Sequence, residues 1–322
     1  MGYVRLGTSG LKVSRIILGC MSYGTPEWQT WVAYDAGINT FDTANVYSNG
    51  LSEVVLGKAI KEFNLPRDEI VVMTKVFFVV GREPNVSVFT SPDGPDAAGY
   101  VNQHGLSRKH IFDSVKHSLE RLQLDYIDVL QCHRFDDNTP IEETMQALHD
   151  VVKAGYVRYI GMSSCWAWQY YAIQNNLTPF ISMQNHYSLV YREEEREMFP
   201  TLKHFKTGSI PWSPLGRGLL TRPISEQSKR GNVDRMIKSY HNDATTAIVD
   251  RVEEISKKRG VSMAQLALAW VMAKDGVTAP IVGSTSLANL TELLAAVDIQ
   301  LTQDEIKYLE EPYKPTSIIG HT

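Results

Sequence analysis

The sequence is poor in everything that would tie it to a membrane, a nucleic acid or a secreted scaffold. It has three cysteines among 322 residues. They are Cys20, Cys132 and Cys165, an odd number without CxxC spacing, which excludes a zinc or redox motif of that type and points to a reducing compartment. No run of about 18 apolar residues occurs, so no spanning helix is expected. The opening MGYVRLGTSGLKVSR has no apolar signal core, and without a leader the sequons beginning at Asn85, Asn176 and Asn289 carry no meaning. Charge of one sign is also scarce. The 32 Lys and Arg nearly balance 36 Asp and Glu, leaving a net charge of −4 with no basic stripe, which argues against a nucleic-acid partner. No strand is followed by GxGxxG, Gly57-Lys58-Ala59 lacks the rest of a P-loop, and no HExxH or other metal-ligand spacing appears. A cytoplasmic protein without metal, membrane or nucleic-acid partner is the expectation.

What is present is ordinary globular composition, 43% hydrophobic, ample for a large core. A hairpin is predicted at Tyr3 to Arg5 and Lys12 to Ser14 around Thr8-Ser9-Gly10. Eight short apolar runs follow, near Ile16–Leu18, Ile38–Phe41, Ile70–Lys75, Tyr126–Leu130, Val157–Gly161, Phe180–Met183, Ser209–Trp212 and Val277–Val282. Helical periodicity separates them. The clearest helix starts are Ser107 and the Thr139-Pro140-Ile141-Glu142 box; a charged helix is predicted over Glu193 to Phe205, and helical patterns run over Ala247 to Arg259 and Ser262 to Ala273. The first barrel helix, between Thr25-Pro26 and Gly37, is short. Residues 76–106 and 213–243 read as long loops. Strands alternating with helices require a parallel sheet. Eight such units in one chain of this length favour a closed (β/α)₈ barrel, one domain over 1–322, rather than an open sheet.

Barrel enzymes keep their chemistry at the carboxyl ends of the strands. There the second strand ends in Asp42 with Tyr47 beyond it, the third in Lys75, and the fourth leads to His133. These four side-chain types suit proton transfer to a carbonyl. A free phenol has a pKa of about 10. A neighbouring ammonium favours the phenolate; at about 4 Å and an effective dielectric of 20 the pair is worth roughly 4 kcal/mol, so one lysine is expected to lower the Tyr47 pKa.

The segments GINTFDTANVYSNGLSEVVLGKAI, VVMTK, DVLQCHRFD, VRYIGMSS, SMQNHYSLVYR, IPWSPLGRGLL and PIVGSTS together resemble the aldo-keto reductase superfamily. The resemblance is greatest to its branch of fungal aryl-alcohol-dehydrogenase-like and secondary-metabolite reductases, and covers nearly the whole chain in order. It implies a (β/α)₈ barrel that binds NADPH without a Rossmann domain and reduces an aldehyde or ketone, aromatic or polyketide-like. Carried over by position, Tyr47 is the proton donor, Lys75 and Asp42 tune it, and His133 positions the substrate carbonyl. Asp42, Ser163, Ser164 and Gln184 face the nicotinamide, and Trp212 stacks on it. Ser213, Pro214, Leu215, Gly216, Arg217, Gly218, Leu219, Leu220, Thr221 and Arg222 clasp the pyrophosphate. Gly283, Ser284, Thr285 and Asn289 hold the adenosine end, and the loop at 76–106 sets specificity. Relatives carry a longer first helix, an Asn where Ser164 stands, an Arg at Asn289 and an Asn at Leu293. The 2′-phosphate then rests on Arg217, Arg222 or residues near Lys229-Arg230, and NADH stays open as cofactor. The resemblance also extends to potassium-channel β subunits, which leaves a nucleotide-sensing regulator as the alternative.

Overall fold

The computed structural model describes residues 1–21, 30–83, 94–164, 169–226, 235–240, 242–284 and 286–319. The chain opens on the expected antiparallel hairpin, β1 (Tyr3–Arg5) with β2 (Lys12–Ser14), in the register Tyr3 to Ser14. The hairpin closes the bottom of a barrel. Gly7 takes φ +59°, and a Cβ there would meet the Lys206 carbonyl at 2.7 Å, so only glycine lets the turn lie this close.

Eight parallel strands follow: β3 (Ile17–Gly19), β4 (Thr40–Asp42), β5 (Val71–Val76), β6 (Ile127–Cys132), β7 (Val157–Ser163), β8 (Phe180–Gln184), β9 (Gly208–Ser209) and β10 (Ile281–Val282). Each pairs with its neighbour in sequence, and β10 returns to β3. The ring closes on the far side through a parallel bridge between Ser209 and Val277. There the Thr278 amide donates to the Ser209 carbonyl at 2.8 Å, and the Ile281 amide to the Pro211 carbonyl at 2.9 Å. This is the (β/α)₈ barrel the alternation of runs predicts.

The helices are α1 (Thr30–Asp35), α2 (Leu51–Glu62), α3 (Gly94–Ala97), α4 (Arg108–Leu122), α5 (Ile141–Lys153), α6 (Gln169–Gln174), α7 (Met198–Phe205), α8 (Arg235–Ser239), α9 (Asp243–Arg259), α10 (Met263–Ala273), α11 (Leu287–Leu294) and α12 (Gln303–Glu310). The described part of the first helix is α1; its predicted start, from Thr25-Pro26 to Trp28, lies outside the described residues. Ser107 caps α4 by accepting from the His110 amide, and Ser262 with Gln265 forms a reciprocal box at α10. Each satisfies donors that a helix start leaves open.

Three expectations are corrected. The Thr139 hydroxyl donates to Asp136 Oδ2 at 2.7 Å instead of capping α5, and Pro140 takes the cap position without a side-chain bond. The helix predicted over Glu193 to Phe205 is broken into a 3₁₀ turn at Glu193–Glu195 and α7. Its glutamates bind elsewhere: Glu193 accepts from the Tyr313 hydroxyl, Glu194 from Asn185 Nδ2, and Glu195 from Arg192. The two long loops are also not wholly irregular. The first contains α3; the second contains a 3₁₀ turn at Gly216–Thr221 and α8.

The barrel interior changes character along its axis. Ile17, Val71, Met73, Val129, Ile210, Ala279 and Ile281 form an apolar plug sealed by Leu6 and Val13 of the hairpin. Strand alternation places every second residue inward, so on β5 the steps from Val71 to Met73 lead next to Lys75, at the upper rim.

Candidate active site

The upper rim gathers groups far apart in sequence. β4 pairs with β5 and β5 with β6, which brings the ends of three strands to one point. Lys75 is completely buried, and its ammonium donates to three oxygens: Asp42 Oδ2 at 2.6 Å, the Thr43 carbonyl at 2.8 Å and the Tyr47 hydroxyl at 3.2 Å. Asp42 Oδ1 accepts from the side-chain amides of Gln131 at 2.8 Å and Gln184 at 2.9 Å. Gln184 also donates to Gln131 Oε1 at 3.0 Å. A buried charge pair stands only when its remaining polar valences are filled in this way.

Tyr47 enters from a turn rather than a strand. After β4 the chain forms a 3₁₀ turn, Tyr47–Gly50, with Ser48 and Asn49 left-handed and Gly50 at φ +91° opening α2. The Tyr47 ring meets His133 edge to face at 5.7 Å, and Phe78 meets it edge to face at 5.0 Å. His133 Nδ1 is buried without a hydrogen-bond partner among the described residues.

The electrostatics correct one expectation. Burial raises the Tyr47 phenol above its ordinary pKa; the Lys75 charge pulls it down, but Asp42 pushes the same way as burial. The ammonium acts as half of an ion pair, not as the bare charge the sequence argument used. Burial also works against the Lys75 ammonium, yet Asp42 and Tyr47 outweigh it and hold its pKa up. His133 is pushed well below its ordinary value by burial and by the charges of Lys75 and Arg134. At neutral pH the site therefore holds a protonated phenol, a charged lysine and a neutral imidazole.

A cleft of about 540 Å³ runs from this cluster outward. Asp42, Tyr47, His133, Ser163, Gln184 and Trp212 line its inner end. Ser213, Pro214, Leu215, Arg217, Gly218, Thr221 and Arg222 line the rest of it, with Gly283, Ser284 and Asn289. Lys75 lies behind the wall. Ser164 does not line the cleft; it stands behind Trp212, whose indole nitrogen donates to its hydroxyl at 3.4 Å. Nor do Gly216, Leu219 and Leu220: Gly216 is buried, Leu219 packs on the core, and Leu220 is completely buried in it. A turn of three residues presents only part of its circumference to one face. Thr285 lies outside the described residues, as do Lys229, Arg230 and Cys165.

Trp212 is fixed from beneath. Its ring stacks on His186 at 4.2 Å and 10°, and His186 stacks in turn on Tyr191 at 4.2 Å. Tyr240 bonds His186 Nε2 at 2.7 Å. The outcome is a flat aromatic face on the cleft, beside the cationic side chains of Arg217 and Arg222.

Sequence reasoning missed Gln131, Arg134, Met236, Ala264, Glu292 and the cleft role of Met21. Gln131 had a usable signal: it is a polar residue in an apolar strand, two steps beyond the interior Val129. Met236 and Ala264 had none, because helices from the far end of the chain bring them in. Among the described residues no group of three His, Cys, Asp or Glu side chains could hold a metal, and no helix is long and apolar enough to cross a membrane.

Residues 15–314 match the profile of the aldo/keto reductase family. The chain is 47% identical to a versiconal hemiacetal acetate reductase of Aspergillus parasiticus, over 99% of this chain and 98% of that one. It is 49% identical to a Schizosaccharomyces pombe protein that carries an aryl-alcohol dehydrogenase name, over 99% and 97%. It is 45% identical to an aldo-keto reductase of Alternaria alternata, over 99% and 93%. The first alignment spans 340 positions, more than the chain's 322 residues, so the relative carries residues this chain lacks.

Proposed function

Since the chain belongs to the aldo/keto reductase family, we propose that it is an NADPH-dependent carbonyl reductase with Tyr47 as its proton donor. The observation that carries this reading is the bond from Lys75 Nζ to the Tyr47 hydroxyl, inside a cluster that faces a cleft. The residues present fit a dinucleotide. The Nε of Arg222 is buried with no hydrogen-bond partner among the described residues, and a Cβ on Gly218 would meet nothing within 4 Å. One is a donor without an acceptor; the other is open backbone at which a phosphate can approach closely. In this reading Trp212 offers its face to the nicotinamide, Ser163 and Gln184 hold its amide, and Arg217 and Arg222 take phosphate charge.

When bound, the reduced nicotinamide supplies a hydride to the carbonyl carbon. The protein's task is the proton. As negative charge grows on the carbonyl oxygen, the Tyr47 hydroxyl donates to it, and the Lys75 ammonium stabilises the phenolate left behind. Asp42, held by Gln131 and Gln184, keeps Lys75 charged and in place. Neutral His133 can donate one hydrogen bond to the same oxygen and orient it. A positioned acid of this kind contributes about 10²- to 10⁴-fold. The substrate we propose is an aldehyde or ketone of aromatic or polyketide type, in keeping with the names of the relatives.

The test is oxidation of NADPH, followed at its absorbance band, with a series of aromatic aldehydes and in parallel with NADH. Saturable, aldehyde-dependent oxidation, faster with NADPH, is expected. Tight nucleotide binding without such oxidation would sink the reductase reading and favour a nucleotide-sensing protein.

A further inference from the structure

Arg134 stands where β6 hands over to the loop, next to His133, and lines the cleft beside Tyr47. Its surroundings are unusual for a guanidinium. One nitrogen, Nη1, donates to the carbonyl of His133. The group lies 5.8 Å over the Phe78 ring. No carboxylate pairs with it among the described residues, whereas Lys75 has Asp42 and Arg121 has Glu53. A guanidinium carries five donors in a planar fork, and among the described residues one neighbouring oxygen is engaged. Burial lowers its pKa, the expected mark of a cation drawn from water without a counter-charge.

The charge balance at this end of the cleft points the same way. Asp42 neutralises Lys75, and His133 is neutral, so Arg134 is the surplus. We infer that Arg134 is a specificity-determining residue that recognises an oxyanion, a carboxylate, close to the carbonyl being reduced. Planar two-point pairing of guanidinium with carboxylate suits this position, because it fixes the direction of the substrate as well as its presence. Phe78 braces His133 and Arg134 from the side, with its ring 5.0 Å from His133 and under the Arg134 guanidinium. The substrate class is thus an oxo-acid with its acid group close to the carbonyl.

This inference rests on the reductase reading for its substrate, so its test has one arm that needs no turnover. In the first arm, kcat/KM is measured for 2-carboxybenzaldehyde and for benzaldehyde with the wild type, Arg134→Gln and Arg134→Lys. The wild type should prefer the carboxylated aldehyde. Arg134→Gln should lower the ratio of the two values about 10- to 100-fold, the loss expected for hydrogen bonds to a charged group, and Arg134→Lys should restore part of it. An unchanged ratio, with both values falling together, would make Arg134 a strut for the His133 carbonyl and overturn the inference. In the second arm, benzoate binding is titrated by the quench of tryptophan fluorescence. Weaker binding to Arg134→Gln supports the oxyanion site even if neither aldehyde is reduced, an outcome that would remove the reductase reading alone. Equal binding of benzoate to both proteins overturns the site.

Discussion

At the inner end of the cleft Lys75 spends its three protons on three oxygens, and both oxygens of Asp42 are taken. Elsewhere in the cleft, Arg222 has a buried nitrogen with no partner among the described residues, and Gly218 faces open space. The first region is finished before any ligand arrives. The second keeps a donor and a stretch of open backbone that no described residue fills. The difference follows from their scaffolds. The inner groups hang from strands whose register sets their spacing, whereas the groove is a 3₁₀ turn and a helix start, where backbone donors are left over. Charges meant to act on a reacting bond gain from a fixed environment, while charges meant to take up phosphate must still be free to pair.

The largest break in this comparison is Lys75→Met. It leaves Asp42 buried without its cation, and removing one partner of a buried pair costs roughly 3–5 kcal/mol. Urea denaturation should show that loss together with abolished turnover. An unfolding midpoint equal to that of the wild type would mean the inner end is not the rigid cluster described. Trp212→Ala acts on the other end. It removes the aromatic face, so nucleotide affinity should fall about 3- to 10-fold, the scale of an aromatic stack, with the midpoint moved less than by Lys75→Met. Arg222→Gln should weaken NADPH about tenfold in the same titration and leave stability within ±0.5 kcal/mol, since no protein partner is lost. A large loss of stability there would contradict the picture of a waiting donor.

How much of this could be read from the sequence divides along the same line. The strands were visible as short apolar runs, and the inner groups fell at their ends: Asp42, Lys75 and His133 needed only the rule that barrel chemistry sits at the carboxyl rim. Gln131 stood out as a polar residue in an apolar strand, but its partners Asp42 and Gln184 lie on other strands, so its part in the cluster needed the fold. The groove was less legible. Leu219 and Leu220 share the segment of Arg217 and Arg222 but turn into the core, and a 3₁₀ turn has no periodic signature that would separate them. The glutamates after Arg192 looked like a solvated helix; their partners Asn185 and Tyr313 lie on other elements, which no local pattern reveals. The direction of the Tyr47 shift was missed for a similar reason, since burial and Asp42 enter only with the fold.

The smallest expected effect is a pH limb. His133 is held well below its ordinary value of about 6.5. The unfolded chain then binds a proton that the folded one refuses, so this contribution to stability is full above about pH 6.5 and is lost as pH falls below it. Chemical denaturation between pH 7.5 and 5 should show stability falling, and His133→Gln should flatten the slope. A slope unchanged in that variant would assign the acid limb to other groups.

The central claim is that the inner cluster moves a proton while the groove binds nucleotide. Tyr47→Phe tests it most directly, because the ring stays and only the hydroxyl goes. NADPH affinity by fluorescence quench and aldehyde-dependent NADPH oxidation are measured on the same preparation. The account predicts an affinity within about threefold of the wild type and a rate lower by about 10² or more. A variant that still reduces aldehydes at the wild-type rate would contradict it.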